Sequence, residues 1–248
     1  DLNVVVFSNM TLCNNEMVAL LREIDPQFVN VSLYSMNSSI HDAITRVGGS
    51  WQKTMDSIRA CEKAGVRIRI ATPLLKINRE SFVELRHFAD EHNMLFVPDF
   101  NIVAKCNQDS SNLESACNTN ELEEILRRNK QIFDRRWSGE MPNCDAKVCD
   151  IGVSRIYLNA MGEYYPCDAM HGYVLGNAFS DAMTSVWGGA KLNRLRELKN
   201  SHFEKCSRCD NRPWCKVCPA ANYNATGDML KVSNSCCETA KVVRRIYG

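Results

Sequence analysis

The sequence predicts an α/β fold in two parts: about four βα units forming a partial (β/α) barrel or an open parallel sheet, then a small cysteine-rich domain. Three observations carry this. Short β-branched or apolar runs alternate with amphipathic helical patterns through the first hundred residues. The texture turns polar and loop-like after Pro98. Nine of the thirteen cysteines fall from Cys144 onward.

The strand-like runs are NVVVF at 3–7, FVNVSLY at 28–34, VRIRIA at 66–71 and MLFVP at 94–98. Between them, Glu16 to Ile24 carries Met17, Leu20 and Leu21 on one face, and Trp51 to Ala64 carries Met55, Ile58 and Cys61, with Gly65 placed to end it. Ser81 to His92 carries Phe82, Leu85, Phe88 and Ala89. Strands that recur with a helix between each pair predict a parallel sheet with right-handed crossovers, and a complete barrel needs more units than these. Beyond Pro98, residues 103–119 read as loop, Asn120 to Trp137 as a long helix, RIYLNAMGEYYPC as a hairpin turning near Gly162, and Ala190 to Leu198 as a helix. The expected domains are 1–137 and 138–248; the second is short of core residues and needs a metal to hold it together.

Composition narrows the function classes. The 248 residues are 45% hydrophobic and 24% charged, as in a soluble globular protein, and the formal net charge is +1. That balance gives no reason to expect nucleic acid or a membrane as partner, and the basic run Arg127 to Arg136 reads as a solvated helix face. No apolar stretch approaches the ~20 residues of a membrane span, and no secretory signal is visible. An odd number of cysteines in a chain this long fits metal binding in a reducing cytoplasm better than disulfide stapling. The chain opens at Asp1 without an initiator Met and is expected to be a portion of a longer protein.

The C-terminal cysteines follow the pattern Cys144-x4-Cys149-x12-Gly162-x4-Cys167, then Cys206-x2-Cys209-x5-Cys215-x2-Cys218-x18-Cys237. A C-x2-C step puts two sulfurs on one tight turn, and two such steps nested together point to a metal centre. Four-thiolate sites hold either zinc or an iron–sulfur cluster, so spacing alone leaves both open.

CDIG…MGEYYPCD, GN at 176–177, Trp187, CSRCDNRPWCKVCPA and CETAK together resemble the SPASM extension that follows the radical S-adenosylmethionine (SAM) core of peptide- and protein-modifying enzymes. The resemblance covers about residues 140–242 and implies two auxiliary [4Fe–4S] clusters with interlaced ligation. The first would take Cys144, Cys149, Cys167 and Cys218; the second, Cys206, Cys209, Cys215 and Cys237. The family usually places three residues between the last two cysteines of the run, whereas here there are two, Lys216 and Val217. Cys237 is chosen over Cys236 because CETAK matches the closing element.

The first half is similar to the middle of the radical SAM barrel. Ser32 to Asn78 resembles strand four, its helix and strand five, and FSNM at 7–10 stands where the family has a Thr-Asn-Gly element. The resemblance implies SAM contacts at Ser32, Asn9 and Asn78. Thr45 stands where many relatives carry a SAM-carboxylate arginine. It also implies a proton-accepting role for Asp168, the residue after Cys167, with a turn or backbone-bonding role as the plain alternative for the asparagines and for Asp168. His41-Asp42 reads as structural, with Asp42 as a helix cap.

The C-x3-C-x2-C triplet that holds the family's radical-generating cluster is absent from the 248 residues. The expected fold is thus a partial radical SAM barrel, strands three to six, followed by a SPASM domain. The expected function is radical hydrogen abstraction from a peptide or protein substrate. A third [4Fe–4S] cluster and SAM would belong to the complete enzyme, and an electron donor such as flavodoxin or ferredoxin would serve it. A non-catalytic iron–sulfur electron-transfer or binding module and a zinc-stabilised interaction domain are the alternatives.

Overall fold

The computed structural model of the chain describes residues 3–130 and 139–248. The end of the expected helix Asn120–Trp137, most of the basic run Arg127–Arg136 and the expected domain border at residue 137 lie outside the described residues. Two compact units are formed: Asp1–Phe100 with Ser115–Cys117, and Asn101–Glu114 with Asn118–Gly248.

In the first unit, strands β1 (Val5–Ser8), β2 (Phe28–Ser32), β3 (Ile68–Pro73) and β4 (Leu95–Asp99) lie side by side in that order, every neighbouring pair parallel. Between them run α1 (Asn15–Ile24), α2 (Ser38–Thr45), α3 (Ser50–Lys63) and α4 (Phe82–Glu91). Side chains alternate between the faces of a strand. Val29, Val31, Ile68 and Ile70 therefore go to one face, where they form a continuous core with Met55, Ile58 and Cys61 of α3 and Leu85 and Ala89 of α4. On the other face Phe7, Asn30, Arg69 and Leu95 stand in one register row. The Arg69 guanidinium lies 3.8 Å from the Phe28 ring centroid and its Nε donates to Asn30 Oδ1 at 2.7 Å.

Two local features depart from the sequence pattern. On α1 it is Val18 and Leu21 that pack against the core, while Met17 and Leu20 are half exposed. Helix α2, in a stretch to which the sequence pattern assigns no element, starts at Asn37, whose Oδ1 accepts the N–H groups of Ser39 and Ile40. Asp42 on α2 does act as a cap, though for the following helix. Its carboxylate accepts from the backbone donors Gly49 N (2.6 Å) and Trp51 N (2.8 Å) at the start of α3, and from Ser50 Oγ (2.8 Å). These bonds hold its carboxyl below the usual carboxylate range.

The second unit has little regular sheet. Strands β5 (Tyr157–Leu158), β6 (Glu163–Tyr165) and β7 (Gly176–Asn177) form an antiparallel sheet in that order. The predicted hairpin turns at Gly162, which has φ +79°, and a Cβ there would stand 2.6 Å from the Phe179 ring. Only glycine meets both conditions. Helix α5 (Thr119–Arg128) carries a capping box, with Asn118 Oδ1 and Glu121 reciprocating. It packs on α10 (Asn234–Tyr247), where Glu123 of α5 pairs with Arg245. Short helices α6 (Met183–Trp187), α7 (Ala190–Arg196), α8 (Glu204–Ser207) and α9 (Pro219–Thr226) fill the rest. The apolar interior is divided: Ile151, Met170, Leu192, Leu195, Leu198 and Ala220 form one cluster, and Phe203, Cys206 and Val217 another.

Candidate cluster and cofactor sites

The carboxyl ends of β1, β2 and β3 form one edge of the first unit, the place where open or closed parallel sheets bind ligands. Ser32 closes β2 opposite Ala71, half-buried, and its hydroxyl makes no hydrogen bond among the described residues. Asn9 follows β1. Its Oδ1 accepts from Thr11 N (3.2 Å) and Thr11 Oγ1 (3.0 Å) in a turn, and its carbonyl accepts from Thr54 Oγ1 of α3 at 2.9 Å. Asn78 is buried, with all its polar atoms engaged: Oδ1 accepts from Leu75 N (2.8 Å), and Nδ2 donates to the carbonyls of Tyr34 and Pro73 (both 3.0 Å). The three residues thus share an edge but differ in kind. Ser32 offers a hydroxyl, Asn9 shapes a turn, and Asn78 braces the loop after β3 against the loop after β2.

His41 joins the same brace. It is buried, its Nδ1 accepts the Tyr34 N–H at 3.2 Å, and burial lowers its pKa from the usual imidazole value. Sequence reading did not connect His41 or Asn78 to Tyr34, because the link runs through backbone groups.

In the second unit the thiols form two groups. Cys149, Cys167 and Cys218 lie within electrostatic range of one another, and Cys167 and Cys218 pack on the larger apolar cluster. Cys206, Cys209, Cys215, Cys236 and Cys237 form the other group, partly within the smaller cluster. Cys144 is exposed, its thiol 3.9 Å from the Asp145 carboxylate. Its backbone is held, since its carbonyl accepts from Ser201 N at 2.9 Å. Cys237 is in range of Cys206, Cys209 and Cys215. Cys236, buried and hydrogen-bonded to Ser233 Oγ, stands between that group and Cys218.

The donor set suits a polynuclear cluster. Burial pushes the Cys167 and Cys215 thiols up to about 12 and Cys218 to about 11, so free thiols here stay protonated. A bound metal reverses that, because its charge deprotonates a coordinating thiol outright. Backbone N–H groups already point at the sulfurs: Ile151 at Cys149, Ala169 at Cys167, Ala220 and Ala221 at Cys218. The last arises because Cys218 caps α9, with Ala221 N 3.4 Å from its sulfur. Such bonds tune iron–sulfur centres. Among the described residues no three Cys, His, Asp or Glu side chains converge as closely as one metal ion requires.

Asp168 is exposed beside Cys167, and its carbonyl lies 2.6 Å from His171 Nε2. The His171 ring lies against Tyr165, whose hydroxyl donates to the Glu163 carboxylate and is pushed to about 12 by that bond.

A parallel α/β sheet joined in sequence to a cysteine-lined, sparsely cored region fits the class of metal- or cluster-binding α/β proteins. Residues 1–89 match the radical SAM superfamily profile, and residues 149–210 match SPASM, described as an iron-sulfur cluster-binding domain. The two matched segments carry the marks of the radical SAM and SPASM families, whose cofactors are iron–sulfur clusters and SAM.

Among curated relatives, the chain is 25% identical to an AdoMet-dependent heme synthase of Methanosarcina barkeri, with 95% of this chain and 74% of that protein aligned. It is 22% identical to the antilisterial bacteriocin subtilosin biosynthesis protein AlbA of Bacillus subtilis, over 87% of this chain and 49% of that one. Among solved structures it resembles native anSMEcpe with bound AdoMet (TM-score 0.70, 15% identity, 98% of this chain and 72% of that one). It also resembles Streptococcus suis SuiB bound to the precursor peptide SuiA (TM-score 0.63, 14% identity, 94% and 58%). These structural likenesses show the α/β and SPASM fold. No helix among the described residues is long and apolar enough to cross a membrane.

Proposed function

We propose that this chain is the barrel-derived and SPASM portion, residues 1–137 and 138–248, of a radical SAM enzyme that abstracts hydrogen from a peptide or protein substrate. The observation that carries the reading is the interlacing of the thiols: Cys218, from the late cysteine run, stands with Cys149 and Cys167 from the early one. Cys144, Cys149, Cys167 and Cys218 would hold the first auxiliary [4Fe–4S] cluster, with a rotation of the Cys144 side chain. Cys206, Cys209, Cys215 and Cys237 would hold the second. Thiolate-ligated clusters supply one-electron exchange with little rearrangement.

The chain's own residues would do the following. Ser32 donates to a polar group of SAM from the edge of β2. Asn9 shapes the loop beside it, and Asn78 holds the Tyr34 and Leu75 backbones in place. Asp168 takes up a proton released from the substrate, for which an exposed carboxylate beside a cluster ligand is suited. A flavodoxin- or ferredoxin-like donor would deliver electrons, and a reducing cytoplasm would keep the thiols available.

A second reading, a tetrapyrrole substrate, is favoured by the 95% of the chain aligned with the heme synthase. Anaerobic purification should yield about eight irons per chain with matching sulfide. Zinc without visible absorbance sinks the cluster reading and favours an interaction domain. Binding assays then separate substrates: tight binding of an iron porphyrin, and none of precursor peptides, favours the second reading.

A further inference from the structure

We propose that Arg212 is the buried counter-charge of the second cysteine group, a positioning residue that raises the reduction potential of the cluster held there. The inference rests on the cluster reading above. Arg212 is 6% exposed, among the few charged side chains in the interior. One terminal nitrogen donates to Cys215 O at 2.6 Å, and the other to Asn200 Oδ1 at 2.5 Å. Both acceptors are neutral, and no carboxylate pairs with Arg212 among the described residues.

A guanidinium cannot lose its proton in a protein, and a buried charge without an opposite charge is strongly destabilising. Its balancing negative charge is not a carboxylate among the described residues, which leaves the neighbouring cysteine group to supply it. The bond to Cys215 O holds the guanidinium against the backbone of a proposed ligand of the second group. In a [4Fe–4S] centre four thiolates outweigh the charge of the iron–sulfide core, and reduction adds one further negative charge. A fixed cation beside it stabilises the reduced state more than the oxidised one.

The bonding also explains why arginine is used. Asn200, itself buried, receives Arg212 on Oδ1 and donates from Nδ2 to the Asn143 carbonyl at 2.9 Å, next to Cys144. The fork thus fixes the backbone at Cys215 and, through Asn200, the strand of chain entering the first cysteine set. A point charge on a flexible stem supplies the charge without this fork.

The test uses the anaerobically reconstituted chain, with iron content and EPR-monitored redox titration as readouts. Arg212→Gln should retain the second cluster but shift its reduced-to-oxidised ratio at least tenfold toward oxidised at fixed poise, about 59 mV for one electron. Arg212→Lys should stay near the wild-type potential. Unchanged potentials in Arg212→Gln overturn the proposal. If Arg212→Gln holds no second cluster, Arg212→Lys decides: retention at wild-type potential supports the charge, and equal loss assigns Arg212 to bonding alone and overturns it. A wild-type chain without a second cluster overturns the cluster reading itself, before any variant is compared.

Discussion

The two units reach stability by different routes. In the first, one continuous core joins the β-branched faces of β2 and β3 to α3 and α4, with Val29, Val31, Ile58 and Ile70 fully buried. Each such side chain contributes roughly 1.5–3 kcal/mol on burial. In the second, strands of two or three residues and two separate apolar clusters surround sulfur atoms, several of which are themselves core residues. The contrast teaches that thiols stand in the second unit where sheet and core stand in the first, and that cross-linking through a ligated group would do there what β pairing does in the first unit.

The largest expected effect breaks the comparison at its metal side. Cys215→Ala should lose about half the iron and the protease resistance of residues 139–248, a loss of several kcal/mol, while helicity of the first unit persists. Unchanged resistance would show that the second unit stands on packing. Phe82→Ala should do the converse: a fall of about 3–5 kcal/mol in the first unit, read by denaturant unfolding, with iron content unchanged. Asn78→Ala should cost about 1–3 kcal/mol, because it strands the Leu75 N–H and the Tyr34 and Pro73 carbonyls. Ser32→Ala should leave the melting temperature unchanged and weaken SAM binding by roughly tenfold, as loss of one hydrogen bond does; equal affinity by calorimetry removes Ser32 from the site.

The smallest effect concerns pH. Burial depresses the His41 pKa, so the folded state binds the proton less well than the unfolded chain. Stability of the first unit should be full above the usual imidazole value and fall as pH drops below it. His41→Gln should flatten that slope, and an unaltered slope would assign it elsewhere.

Much of this was legible in the sequence, and for identifiable reasons. Strand runs, the α3 and α4 faces and the Gly162 turn follow from periodicity and positive φ, which are local. The two cysteine ligand sets rest on the resemblance and remain part of the proposal. Helix α2 was missed because Ser38 and Ser39 and the β-branched Ile40, Ile44 and Thr45 carry weak helical preference; its Asn37 cap and the bonds from Asp42 to α3 compensate. Met17 and Leu20, read on one face with Leu21, stay half exposed because a helix with several apolar residues admits more than one face. Arg212 and Cys236 could not be ranked in advance, since burial of a charge or thiol is decided by partners distant in sequence.

Cys215 and Cys218 are separated by Lys216 and the buried Val217, and the proposed assignment gives them to different clusters. Three peptide units reach at most about 11 Å. That short tether makes the two centres a matched pair with a set spacing. Filling one site preshapes its neighbour, so iron should load cooperatively, with partly filled chains scarce at every stage of reconstitution.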